Sequence, residues 1–519
     1  MVQKHAVRKA SATAAVVPAL SKKAVAPYES ASATPMSKID EIVFGRLHAA
    51  GITPANPCSD EVFVRRAYLD VIGTLPTPAE VRTFLQNSKP TRRHDLIETL
   101  LDRDEYADYW SMKWCDLLRV KAEFPINLWP NAVQTYHRWI RDSIRDNKPY
   151  DRFVREMLVS SGSNFKDSPV NFYRAMQAKQ PEVVARMAAL TFMGTRAEKW
   201  PKARLAGLAA FFTQMDYKHT LEWKEEIVIF NPDHAMVGKP VFPDGKPAHI
   251  APGQDPRVVF TNWLLTPGNP WFARNIANRV WCWLFGTGII NEPDDIRPDN
   301  PPSIPDLLVN LERELIVSKY DLKHLYRLIL NSRTYQLSSI PADPKKPGDK
   351  LFAHYPIRRV EAEPLIDALN QITGTTESYS SAAPEPFTFI PEDQRSIALA
   401  DGSISSSFLE LFGRPARDTG LESERNNRTT TEQRMHMLNS SHIQRKIERG
   451  SVLAVLLNSG KTKPQMVEEL YLLILSRFPT DDEQKTAEAY SRTSASTPRN
   501  LLSDLAWALI NSAEFLYRH

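Results

Sequence analysis

The stretch from Asn269 to Gln336 constrains the fold more than any other part of the chain. Ile276, Val280 and Leu284 recur at helical spacing. Asn269 and Pro270 stand in front of them as a capping side chain and a first-turn residue with a preset φ. Gly286 supplies a stop. Pro293, Pro298, Pro301, Pro302 and Pro305 then force an extended connection, because each lacks an amide donor and restricts its predecessor. Ser303 with Pro305 opens a second helix with Leu308, Leu311 and Leu315 inside, and Asp321 caps a third with Leu322, Leu325, Tyr326 and Ile329 on one face. Short amphipathic helices separated by stiff loops predict a mainly α, multi-helical chain.

The same pattern starts at Met36. Ile39, Ile42, Val43 and Leu47 form a stripe; Ser59-Asp60-Glu61 begins a helix that closes at Gly73; Thr77 caps the next with Pro78 in its first turn. Further helices are expected at Thr91 to Leu101, 104–120, Asn131 to Arg145, 149–161, Val183 to Met193 and Arg204 to Met215. The period changes near Asp216. Ile227 to Phe230 reads as a strand, and Lys239 to His249, with an Asp-Gly turn, as its hairpin partner. This divides the chain into a tail (1–35), a helical domain (36–215), a β-hairpin or linker insert (216–255) and a second helical domain (256–519). Arg358 to Thr373, stopped by Gly374, and five helices after Thr429 complete the second domain, with a short strand near Phe387 to Ile390.

Candidate chemistry concentrates in two places. The first is the polar-aromatic helix with its loop: Arg274, Asn278, Arg279 and Trp281, followed by Asp294 and Asp295. The second is a charged cluster in irregular chain, Arg414, Arg417, Glu422, Glu424 and Arg425. Each set reads in two ways. The residues could build a ligand surface, with rings stacking on pyranose faces and carboxylates serving as acid and base, or they could form a polar network that ties helix to loop. Asp116 and Arg119 stand three apart in a helical stretch, the spacing of a structural intrahelical ion pair. His137 reads as a hydrogen-bonded wall residue rather than a metal ligand. His219, His234 and His249 match no metal template, and no metal site is expected.

A formal charge of +4 on 519 residues does not call for nucleic acid. Three dispersed cysteines, without Cys-x-x-Cys, offer neither a disulfide framework nor a haem tether. No apolar run reaches the roughly 18 residues of a transmembrane helix. Lys4, Arg8 and Lys9 before a weakly apolar run to Leu20 read either as a poor export signal or as a disordered tail.

In order, FVRRAYLDVIGTLPTPAEV (63–81), KPYDRFVREML (148–158), NPWFARNIANRVWCWLFGTGII (269–290), YDLKHLYRLILNSRTYQLSS (320–339) and FGRPARDTGLESER (412–425) resemble the paired planctomycete and verrucomicrobial cytochrome-associated domains, the domains of unknown function fifteen-forty-nine and fifteen-fifty-three. The resemblance implies a helical, exported protein of the periplasm or envelope, with a cytoplasmic one as the alternative, and it carries no established catalytic residues. Many relatives hold a Cys-x-x-Cys-His-x-His-Pro stretch where this chain reads GTRAEKWPKA (194–203), and some a cysteine where it has Ser423. No cofactor is therefore expected. The reading is a binding or assembly module for a glycan or an envelope protein. The alternatives are a polysaccharide hydrolase with paired carboxylates among Asp294, Asp295, Glu422 and Glu424, and a hard cation held by Asp294-Asp295.

Overall fold

Capping residues mark where about half of the helices begin. Ser59 accepts from the Val62 amide at 3.4 Å and starts the Asp60–Val71 helix. Thr77 and Glu80 form a reciprocal capping box on Pro78–Gln86, with the Thr77 amide donating to Glu80 at 2.7 Å. Asp321 caps Leu322–Leu330. Gly194, Gly286 and Gly374 close Pro181–Met193, Phe272–Phe285 and Ala362–Thr373 in left-handed conformation. The Phe272–Phe285 helix starts two residues later than expected: Trp271, not Asn269, takes the cap position, and the Asn269 side chain accepts from the Trp271 and Phe272 amides.

The computed structural model describes residues 26–123, 125–383, 385–492 and 497–519. Helix takes 52% of the described residues and strand 5%, so the mainly α class holds. The small sheets differ from the sequence reading. Glu226–Phe230 lies between Met215–His219 and Gly162–Ser163, antiparallel to both, with Met215 opposite Phe230 and Gly162 opposite Val228. The helix expected to run to Met215 therefore ends as Lys202–Ala209 plus one 3₁₀ turn, Ala210–Phe212. Pairing with the β-branched Ile227, Val228 and Ile229 takes residues 215–219 out of the helix. The 239–249 segment closes only its own bridge, Val241 to Pro247. Pro240, Pro243 and Pro247 have no amide hydrogen to give to a ladder. Phe387 to Ile390 forms no strand; Phe387 packs instead on Trp129.

The tail was drawn to residue 35, yet its described end is held. Tyr28 bridges Cys58, the Glu29 amide donates to the Pro57 carbonyl, and Glu29 pairs with Arg93. Residues 1–25 lie outside the described part.

The buried apolar side chains gather into two clusters. One cluster runs from Ile39 to Ala400 and joins the N-terminal helices to Phe272–Phe285, Pro305–Val317 and Leu322–Leu330. The other gathers Val360 to Phe515 and takes in Leu69 and Leu75. Each fully buried apolar side chain contributes about 1.5–3 kcal/mol, so both clusters are substantial. A two-stranded ladder, Arg358–Arg359 with Tyr517–Arg518, lies where they meet.

Candidate functional site: a buried ionic seam

The Phe272–Phe285 helix is buried almost all round, and a helix without a solvent face must satisfy its polar side chains internally. Asn278 accepts from the Ile290 amide at 2.8 Å and donates to the Ile290 carbonyl at 2.9 Å. Asn275 donates to the Thr191 carbonyl. Arg279 donates to Asp294 at 2.7 Å, and the other Asp294 oxygen accepts from the Glu422 amide at 2.6 Å. Glu422 accepts from the Trp283 indole at 3.0 Å and sits 3.5 Å from Arg279.

Helix, proline loop and 412–428 loop, which hold the two sets of candidate residues, meet at Arg279. They meet as a closed network, not as an open cleft. Trp281 is wholly buried, stacked on Phe285 and edge-on to Phe352, with no ring face left for a sugar. Arg274 pairs on the surface with Glu312. Asp295 turns away from Asp294 toward Arg297 at 3.1 Å, so the two aspartates do not converge on a cation.

A second knot surrounds Asp116. Its carboxylate takes Arg417 at 2.9 Å and Arg425 at 2.7 Å, and Arg425 also grips Glu363 at 2.6 Å. Arg414 donates to the Ile404 and Asp401 carbonyls. Glu424 accepts from the Asp418 and Thr419 amides and the Thr419 hydroxyl, tying its own loop. The expected Asp116–Arg119 pair does not form. The helix ends at Leu117, and Arg119 lies beyond it at φ 57°, donating to the Ala175 and Leu117 carbonyls. Three-residue spacing brings side chains together only while the helix continues.

Sequence reasoning missed a third knot. Asp70 is fully buried and accepts from Tyr335, Tyr355, Arg358 and Arg518 at 2.7–2.9 Å. Glu361 takes Lys113 and the Tyr109 hydroxyl, and Arg518 donates to that same hydroxyl. The available signal was a charge on an otherwise buried helix face: Asp70 between Leu69 and Val71, and Lys113 between Met112 and Trp114.

Burial and pairing set the electrostatics. Burial pushes the Glu361 carboxyl up, but Lys113, Arg518 and Arg425 outweigh it and hold the group well below the usual carboxylate range. Glu363 is lowered in the same way, chiefly by Arg425. Burial lowers Lys113, and it raises Glu422 against the pull of Arg279 and Lys113. Burial, with Arg417 beside it, brings Arg414 down to about 10. The seam's carboxylates are paired with guanidinium groups and backbone amides of other segments. Among the described residues no group of three or more His, Cys, Asp or Glu side chains is placed to hold a metal ion.

Residues 194–203 zip onto the same loop. The Ile296 amide donates to the Gly194 carbonyl, Thr195 donates to the Ile296 carbonyl, and Arg196 pairs with Glu292. A side chain at Gly194, which has φ 61°, would lie 2.6 Å from the Asn275 oxygen and 2.9 Å from the Pro293 carbonyl, so this approach requires glycine.

His137 is buried, but without the expected hydrogen bond at Nε2, which has no partner. Burial, with Arg417, Arg141 and Arg138 nearby, lowers its pKa to about 3. Its folded value lies below the ordinary 6.5, so between these values the unfolded chain holds more protons. Stability is therefore lost as pH falls from 6.5 toward 3, by up to about 1.4 kcal/mol per pH unit. His137→Gln is expected to flatten the slope of urea stability between pH 6.5 and 5. An unchanged slope would show that this imidazole does not titrate on unfolding.

Residues 38–206 match the family model described as PSCyt2, protein of unknown function (DUF1549), and residues 256–491 match PSD1, protein of unknown function (DUF1553). The chain belongs to the family that carries this pair in this order. No curated protein and no solved structure matches it. Among the described residues no helix is long and apolar enough to cross a membrane.

Proposed function

We propose that the chain is a cofactor-free binding or assembly module of the cell envelope, taking a glycan or a protein as its ligand. One observation carries this reading: the carboxylates best placed for acid–base work are committed elsewhere, Asp294 to Arg279 and the Glu422 amide, and Glu424 to its own loop. A glycosidase needs two carboxylates facing one cleft, about 5–10 Å apart and free to reach the substrate. The GTRAEKWPKA stretch supports the absence of a tethered haem, since it offers neither thiol nor imidazole. The envelope placement rests on the family resemblance.

The test incubates purified protein with envelope polysaccharides and follows retention and reducing-end release together. Retention without release is expected. Release that falls in Asp295→Asn or Glu424→Gln would overturn the reading in favour of a hydrolase.

A further inference from the structure

The closed seam leaves open where a ligand would sit, and a second region has what the seam lacks. The Met215–His219 and Glu226–Phe230 hairpin is joined by residues 220–225. Beside that connection lies a cleft of about 620 Å³, walled on its other side by residues 125–127 and 174–179. Trp223 lines it and is 67% exposed, and Leu221 next to it is fully exposed. Elsewhere the large rings of this chain are mostly packed away: Trp110, Trp114, Trp281 and Trp283 are all buried.

The wall of the cleft is prearranged. The buried Glu226 carboxylate gathers Arg174 at 2.8 Å, Lys179 at 2.7 Å and His219 at 3.1 Å. The rim is unspent. Among the described residues, the Trp223 indole N–H, the Glu222 carboxylate and the Asn127 side-chain amide make no hydrogen bond. Three cations (Arg174, Lys179, Lys224) face three anions (Glu222, Glu225, Glu226), so these charges balance.

We propose that this cleft binds a neutral carbohydrate chain, with the Trp223 ring as its stacking platform and Glu222 and Asn127 bonding ring hydroxyls. The inference rests on the binding-module reading and gives it a site and a ligand class. An exposed indole presents a large, rigid apolar face to the C–H side of a pyranose at low entropic cost. Carboxylate and amide groups supply the acceptor and donor that hydroxyls require. Charge balance disfavours a sulfated polymer and an anionic lipid surface, both of which call for a one-signed basic patch. Another polar cleft, about 420 Å³ and lined by Thr74, Arg103, Glu105, Asp367 and Arg395 among others, has no ring in its lining.

The test is affinity electrophoresis of the full chain through native gels cast with dextran, xyloglucan, mannan or the sulfated polymer carrageenan, with flotation on phosphatidylglycerol vesicles alongside. At least one neutral polymer should retard the protein. Trp223→Ala should weaken that binding at least about tenfold with the melting temperature unchanged, and Asn127→Ala should weaken it less. Equal retardation of wild type and Trp223→Ala would overturn this site while leaving the binding reading intact. Retardation by carrageenan alone, flotation on vesicles alone, or no retardation by any neutral polymer would overturn the ligand class proposed here.

Discussion

Asp70→Asn is expected to lower unfolding free energy by about 3–5 kcal/mol, the cost of removing one partner from a buried ion pair. The asparagine keeps an acceptor for one tyrosine but removes the charge that Arg358 and Arg518 face at 2.7 and 2.8 Å. Arg518 is fully buried, so water cannot replace the lost anion. Both arginines lie in the ladder that joins residues 358–359 to 517–518, and Asp70 lies in the first helical domain. Chemical denaturation followed by circular dichroism measures the loss. A change below about 1 kcal/mol would mean that the arginines find another anion.

Asp294→Ala should also cost about 3–5 kcal/mol, because Arg279 is left buried with only Glu422 at 3.5 Å. The neighbouring carboxylate gives the contrast. Burial already disfavours the charged form of Glu422. Its neutral isostere keeps an acceptor for the Trp283 indole, so Glu422→Gln should cost about 1 kcal/mol or less, in the range of one hydrogen bond. Urea titration of the two variants side by side checks the order. Equal losses, or a larger one for Glu422→Gln, would reverse the roles assigned to the two groups.

What was legible in the sequence follows from the range of each interaction. Ser59, Thr77, Gly286 and Gly374 act on backbone groups within a turn of themselves, so spacing alone placed them. The meeting of the 269–300 and 412–428 segments was readable because each carried charge of a kind the other could answer. Partner identity was not. Asp116 pairs with residues 301 and 309 positions away, and Asp70 with one 448 away, and no local spacing encodes such a match. Arg119 shows the converse: a correct spacing placed just past the helix end has no meaning. Trp281 was rightly read as aromatic and helical, but a stripe does not say whether its rings face a ligand or a neighbouring Phe285. The hairpin was misregistered because its prolines count against a ladder more than its Asp-Gly turn counts for one.

The central claim is that the paired charges of the seam hold segments of the fold to one another. A double-mutant cycle on Asp116 and Arg425, with Asp116→Asn, Arg425→Gln and the double variant unfolded in urea, tests it most directly. The two side chains sit 2.7 Å apart across 309 residues of chain. Both single variants should be destabilised, with a coupling of about 0.5–3 kcal/mol between them, while retention on the bound polysaccharide persists in whatever fraction stays folded. Additive, near-zero losses of stability together with lost binding or turnover would contradict the account and make these residues part of a working site.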